Sequence, residues 1–411
     1  MMCTYPEKVT LEEGLQLLLP HVDRVSEEII PIEESSGRVL AVNIISGENI
    51  PPFHRSPYDG YALRAADIAG ASKEAPVQLS VIQEVPAGST ASREIREGEA
   101  VKILTGAPVP EGATAIVKFE DTLFTKDTVT ISAPSKEGSN IVPVGEDVKE
   151  GELVIEKGRL LSPALVGLLA GLGHRTVRVY RRLTAAVLST GDELVGVGEA
   201  LTPGKIRNSS IYTIHAYLEQ WNVMARMVGI VKDDAGEIAA NIKESLTAND
   251  LLITTGGVSV GDYDLLKEAL IQIGAEILFW KVRLKPGMAF IAALYQGKPI
   301  LALSGNPSAA AVSLLLFGRP LIRKMSGMKN YQTKELLVKT AEEFPKKSPS
   351  RRMIPGTLEI LDGEAWIVFA KKQGNGMLNP LRDCEILGEI EAGSPSLPRG
   401  SIIKAYRIFD R

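Results

Sequence analysis

Leu251-Leu252-Ile253-Thr254-Thr255-Gly256-Gly257-Val258-Ser259-Val260-Gly261-Asp262-Tyr263-Asp264 is the stretch whose reading decides the fold. Its apolar opening reads as a buried parallel strand, and the pattern from Leu265 to Ile273 reads as a helix. A strand therefore passes into a helix through a glycine-rich loop. Glycines let backbone N–H groups approach a ligand closely, and Asp262 and Asp264 bring carboxylates to the carboxyl end of a strand, where open α/β sheets bind ligands. The loop matches neither G-x-G-x-x-G nor the Walker A spacing, which argues against a dinucleotide or P-loop site.

The same alternation extends to both sides. Strands are predicted at Ala185 to Ser189, Met224 to Ile230, Ile277 to Lys281 and Ile300 to Leu303, and helices at Ser209 to Trp221, Ala235 to Thr247 and Pro307 to about Lys324. Residues 181–327 thus form an α/β domain on a parallel sheet. Upstream, Thr10-Leu11-Glu12-Glu13 has capping-box spacing ahead of an amphipathic helix running to about Val25, and Ser162-Pro163 opens another that stops at Gly171 or Gly173. Between them, β-rich runs at Val77 to Val85, Ala100 to Leu104, Ala115 to Lys118 and Thr128 to Ile131 describe a small β domain. The expected layout is a discontinuous helical and linker domain (1–50 and 140–180), an inserted β domain (51–139), the α/β domain and a C-terminal β domain (328–411).

Composition bounds the function. Hydrophobic residues are 45% and charged residues 23%, as in a soluble globular protein. A formal net charge of -4 argues against nucleic acid as the main partner. Cys3 and Cys384 are too few for a disulfide framework or a zinc site. The longest apolar run, Ala309 to Phe317, is interrupted by Ser313 and is too short to span a bilayer, so a cytoplasmic protein with no membrane partner is expected.

Three carboxylate clusters follow strands of the α/β domain: Asp192 with Glu193, Asp233 with Asp234, and Asp262 with Asp264. Parallel strands would bring them to one edge, and several oxygen ligands there suit Mg²⁺. For a single residue the plainer reading is a helix cap, at Asp233 or Asp264. Lys281, Arg283 and Lys285 precede a Pro286-Gly287 turn, and alternation along an extended segment would put all three on one face, suited to an oxyanion. Ser304-Gly305-Asn306-Pro307-Ser308 joins a strand to a helix with Asn at the N-cap and Pro at the first helical position, an anion-seeking terminus. Asp59 and Thr105 sit in turns of the β domain, and Phe53, Tyr58 and Tyr61 crowd one loop, which favours a partner surface. No histidine stands beside a Ser or Cys in a nucleophile elbow.

Six motifs occur in the order found in the MoeA family: Ser-Pro-Tyr-Asp-Gly-Tyr-Ala from Ser56, Leu-Thr-Gly-Ala-Pro-Val-Pro from Leu104, Ser-Thr-Gly-Asp-Glu-Leu from Ser189, Thr-Gly-Gly-Val-Ser-Val-Gly-Asp-Tyr-Asp from Thr255, Lys-Val-Arg-Leu-Lys-Pro-Gly from Lys281, and Ser-Gly-Asn-Pro from Ser304. The chain resembles that family, the molybdopterin molybdenumtransferases that include the gephyrin E domain, over nearly its whole length. The resemblance implies a homodimer of four-domain subunits ending in a β barrel. It implies insertion of molybdenum from molybdate into adenylylated molybdopterin, with Mg²⁺ present and AMP released. By motif position it implies Glu193, Asp233 and Asp264 as the acidic, metal-holding and catalytic group. Lys281, Lys285, Gly256, Gly257, Ser259, Ser304, Gly305, Asn306 and Ser308 would bind substrate, and Asp59 and Thr105 would be offered by the other subunit. An adenylyltransferase supplying the substrate would be a partner. A Mog-type adenylyltransferase and a gephyrin-like scaffold are the alternatives.

Overall fold

The computed structural model describes residues 5–258 and 265–408. Asp262, Asp264 and Ser259, which the sequence reading singles out, lie outside the described residues. The chain divides into two compact units: Met1–Ala41, Lys157–Ser162 and Val177–Arg411 form one, and Val42–Glu156 with Pro163–Thr176 the other.

The larger unit is built on a seven-stranded sheet in the order Glu7–Val9, Glu276–Val282, Phe290–Tyr295, Lys298–Leu303, Leu251–Thr255, Thr184–Thr190, Met224–Val231. The last four strands run parallel, as the alternation with helices predicts. Successive side chains of Thr184–Thr190 enter opposite cores: Ala185 and Val187 pack on one face, Ala186 and Leu188 on the other. Burial on both faces explains why this strand and Leu251–Thr255 read as continuous apolar runs rather than alternating ones.

Two departures matter. The sheet is mixed, because Phe290–Tyr295, absent from the sequence reading, runs antiparallel to both neighbours. Gln296 and Gly297, with φ of 52° and 75°, turn it into Lys298–Leu303 in the manner of a tight hairpin. The first helix carries both hydrogen bonds of the expected capping box, Glu13 N to Thr10 Oγ1 at 3.2 Å and Thr10 N to Glu13 Oε2 at 2.8 Å. It nevertheless spans only Leu11–Leu18, because Pro20 tightens the next turn, and Val22 and Val25 reach the core from non-helical chain.

After Met328 the chain forms a closed barrel of five strands, Glu335–Thr340, Glu364–Phe369, Arg352–Leu361, Ile386–Ile390 and Ile402–Arg407. In the smaller unit a six-stranded sheet follows the order Ala115–Lys118, Gly60–Leu63, Glu99–Ile103, Val77–Val85, Thr128–Ile131, Thr122–Phe124. Helix Pro163–Gly171 returns to this unit and starts at its proline, as read from the sequence.

Candidate functional site

Register assembles the site. Thr255 pairs with Ser189 on one side and Leu303 on the other, and Thr190 pairs with Val231, so four strands end in one row. Their loops then touch. A Cβ on Gly256 would lie 2.1 Å from Thr190 O, and Gly256 has φ +86°, so only glycine fits between the two loops. Gly305 completes the contact, 3.4 Å from Gly256 Cα by the same measure.

A hollow of about 250 Å³ opens on this edge, lined by Thr190, Glu193, Asp233, Gly257 and Leu265 among others. A smaller one of about 40 Å³ adjoins it, sharing Thr190 and Glu193 and adding Asn208, Ser209, Thr255 and Gly305. The sequence-predicted Glu193, Asp233 and Gly257 therefore meet, although 64 residues separate Glu193 from Gly257 in the chain (257 − 193). Asp233 is not a cap. Asp234 holds the N-cap of helix Ala235–Ala248 and accepts from Glu237 N at 2.8 Å, which leaves Asp233 for the edge. Asp233 instead ties the two loops together: its Oδ2 accepts from Asp192 N, and its own N–H donates to Asp192 Oδ1, both at 3.3 Å. The Glu193 carboxylate folds back over Gly191.

Several residues of this edge were not singled out in the sequence. The Thr190 hydroxyl is buried and has no hydrogen-bond partner among the described residues, so it is a donor available to the hollow. Beneath it Ser189 Oγ and Thr255 Oγ1 are 2.8 Å apart, and Asn208 Oδ1 accepts from Ser189 Oγ and Ile211 N at 3.3 Å each. Lys205 Nζ donates to Asp192 O. The signal was the polar run Asn208-Ser209-Ser210, which reads on its own as the start of a helix.

The basic group is arranged differently from the expectation. Lys281 has φ +68°, which breaks the extended alternation; its side chain is buried and its Nζ lies 3.6 Å above the Trp280 ring. Arg283 and Lys285 are exposed, so the three do not share a face. The strand Glu276–Val282 runs in the same direction as Lys298–Leu303, two antiparallel pairings away, and therefore delivers this segment to the carboxyl edge. Neither Lys281 nor Lys285 lines either hollow. The Pro286-Gly287 turn packs on the helix from Pro307: a Cβ on Gly287 would lie 2.7 Å from Ser313 Oγ. At the start of that helix Asn306 occupies the N-cap position without a side-chain cap bond, Ser304 Oγ accepts from Asn306 N at 3.3 Å, and Ser308 N is taken by Asn375 O at 3.1 Å.

In the smaller unit, Asp59 Oδ1 accepts from both the N–H and the hydroxyl of Thr105 at 2.7 Å. Those bonds, the backbone one first, hold the Asp59 carboxyl below its ordinary pKa. Tyr61 departs from the expected surface: it is a core residue whose ring packs at a tilt against Phe119 and Phe124, at 5.2 and 5.9 Å between centroids, whereas Phe53 and Tyr58 are exposed. Among the described residues no cluster of three or more His, Cys, Asp or Glu could hold a metal, and no helix is long and apolar enough to cross a membrane.

Comparison with known proteins agrees with this geometry. Residues 9–173 match the family described as MoeA N-terminal region (domain I and II), and residues 186–324 match a probable molybdopterin binding domain. A molybdopterin molybdenumtransferase of Staphylococcus epidermidis is 34% identical over 96% of this chain and 94% of its own length. The chain belongs to the MoeA family of molybdopterin molybdenumtransferases. A counterpart with the same name in Staphylococcus aureus is 33% identical over the same shares. The crystal structure of the molybdopterin biosynthesis MoeA protein from Pyrococcus horikoshii OT3 superposes with a TM-score of 0.84 at 30% identity, covering 97% of this chain and all of that one. The chain is thus a transferase of molybdenum cofactor biosynthesis.

Proposed function

We propose that this enzyme inserts molybdenum from molybdate into adenylylated molybdopterin and releases AMP, in a Mg²⁺-dependent reaction. The observation that carries the reading is the hollow where Glu193 and Asp233 meet with Asp234 doing the capping. Two carboxylates plus substrate phosphates are the usual complement of Mg²⁺, so the residues present fit that ion. Glu193 and Asp233, with Asp264, would hold it, and when bound it supplies charge neutralisation at the phosphates.

The chain's own residues take the remaining work. Gly256 and Gly257, which have no side chains and keep the loop open, the Thr190 hydroxyl and Ser259 bind and orient the pterin substrate. Lys285, Lys281 and the Ser304, Gly305, Asn306 and Ser308 loop attract the oxyanions. Asp59 and Thr105 reach a site from the second subunit of a homodimer, with Phe53 and Tyr58 as contact residues. The enzyme works in the cytoplasm and receives its substrate from an adenylyltransferase.

The test is a single-turnover assay with purified full chain, adenylylated molybdopterin, molybdate and Mg²⁺. AMP and molybdenum-loaded product should appear together; AMP without bound molybdenum, or neither, would overturn the reading. Asp264→Asn should abolish insertion at an unmoved melting temperature, because Asn caps a helix about as well as Asp. Lys285→Ala should raise the half-saturating molybdate concentration about ten-fold or more, the worth of one charge-assisted hydrogen bond. Sedimentation giving only a 44.3 kDa species would refute the dimer.

A further inference from the structure

Two neighbouring arginines at the start of barrel strand Arg352–Leu361 are treated in opposite ways. Arg351 is saturated by Glu12, Glu389 and the Tyr406 hydroxyl. The Arg352 side chain makes no ion pair and no hydrogen bond among the described residues, although its Nε is buried. Successive residues of an extended chain face opposite ways, so the acids that serve Arg351 are turned away from Arg352.

The neighbour that Arg352 does have is a second cation. Lys285 and Arg352 form a parallel bridge, in which Lys285 N donates to Arg351 O and Met353 N donates to Lys285 O, both at 2.9 Å. Residues paired in this way stand opposite each other with their side chains on one face. Lys285 is exposed, and it too makes no ion pair or side-chain hydrogen bond among the described residues. Like charges directly opposite on a sheet destabilise it, and a buried guanidinium N–H without an acceptor adds its desolvation cost. The backbone therefore holds two cations side by side, and no described acid answers either. An unsatisfied buried donor in a native structure needs an explanation, and an ion at that place is one.

We propose that Arg352 is a further substrate-binding residue, which with Lys285 clamps one tetrahedral oxyanion of the reaction, either molybdate or a phosphate of the pterin substrate. The proposal rests on the reading of Lys285 as an anion-attracting residue and adds Arg352, which that reading does not use. The planar fork of a guanidinium takes two oxygens of such an anion at once, and the lysine adds a compact point charge. Because the bridge is made by backbone, the spacing of the two cations is set before an anion arrives.

The full chain is titrated calorimetrically with molybdate alone and, separately, with inorganic phosphate alone. Wild type should bind at least one of them, and Arg352→Gln and Lys285→Ala should each weaken that same anion by about ten-fold. A loss for molybdate assigns the clamp to molybdate, and a loss for phosphate alone assigns it to the pterin phosphate. Melting in anion-free buffer controls for folding: Arg352→Gln should melt no lower than wild type, because it removes an unpaired charge, and the anion should raise its midpoint less. Unchanged affinity of Arg352→Gln for both anions, weakening of different anions by the two variants, or a clearly lower anion-free midpoint in Arg352→Gln would overturn the proposal. So would a wild-type chain that binds neither anion. The titration needs no pterin substrate, so an enzyme that binds the anion through Arg352 and inserts no molybdenum would refute the proposed reaction and leave the clamp standing.

Discussion

At the barrel, Arg351 donates to Glu12 Oε2 and Oε1 at 2.7 and 2.8 Å, to Glu389 Oε2 at 3.0 Å and to the Tyr406 hydroxyl at 3.1 Å, and that hydroxyl in turn donates to Glu389. At the carboxyl edge of the sheet, Asp233 accepts one long backbone bond, and Glu193 lines an open hollow. Both places carry ionised side chains drawn from distant parts of the chain. In the first, the charges compensate one another and fasten the first helix to the barrel. In the second, two exposed carboxylates converge, and neither forms an ion pair among the described residues. Charge at the barrel closes on itself, whereas charge at the carboxyl edge is left pointing at a space. Arg351 belongs to the first kind.

The contrast breaks most visibly at Arg351. Arg351→Ala strands the buried Glu389 carboxylate and should cost about 3–5 kcal/mol of unfolding free energy, read from the urea midpoint, with insertion activity per folded molecule retained. Loss of activity at unchanged stability would move Arg351 to the functional side. Next, Asp233→Asn and Glu193→Gln should each lower the insertion rate about 100-fold or more while the melting temperature hardly shifts, since both carboxylates are exposed and that of Asp233 accepts a single long bond that an Asn oxygen can also accept. A variant that unfolds early but turns over normally would erase the distinction.

A sharper and smaller test sets neighbours against each other. Asp234→Ala removes the cap of helix Ala235–Ala248 and should cost about 1 kcal/mol with activity kept, the reverse of Asp233→Asn. The smallest effect is in pH. Hydrogen bonding from Arg351 holds the Glu12 carboxyl below its ordinary pKa. A depressed folded-state pKa means stability that is complete above the unfolded value and is lost as pH falls through the folded one. Urea midpoints of Glu12→Gln should therefore fall less steeply than wild type below about pH 4.5, by a few tenths of a kcal/mol at this half-exposed site.

How much of this was written in the sequence depends on range. The Thr10-Glu13 box, the Pro163 helix start and the parallel strands were legible because each rests on residues a few positions apart or on burial of both strand faces. The gathering of Glu193, Asp233 and Gly257 was legible too, since parallel strands fix which ends meet. Which of Asp233 and Asp234 caps the helix was not, because adjacent identical residues differ only in backbone angles. Lys281 misled for a similar reason: a single left-handed residue reverses the alternation, and lysine gives no warning of it. Phe290–Tyr295 was missed because its turn, Gln296-Gly297, lacks the Asn-Gly or Asp-Gly signature.

The antiparallel insertion of Phe290–Tyr295 also bears on the order in which the edge is assembled. The hairpin with Lys298–Leu303 closes over a two-residue turn, so little chain must be gathered before its contacts form. Pairing of Thr184–Thr190 with Leu251–Thr255 joins residues 66 positions apart, such as Ser189 and Thr255, and waits on a far larger loop. In a folding chain the hairpin of Phe290–Tyr295 with Lys298–Leu303 is thus expected early, and the pairing of the strands that precede Glu193 and Gly256 later.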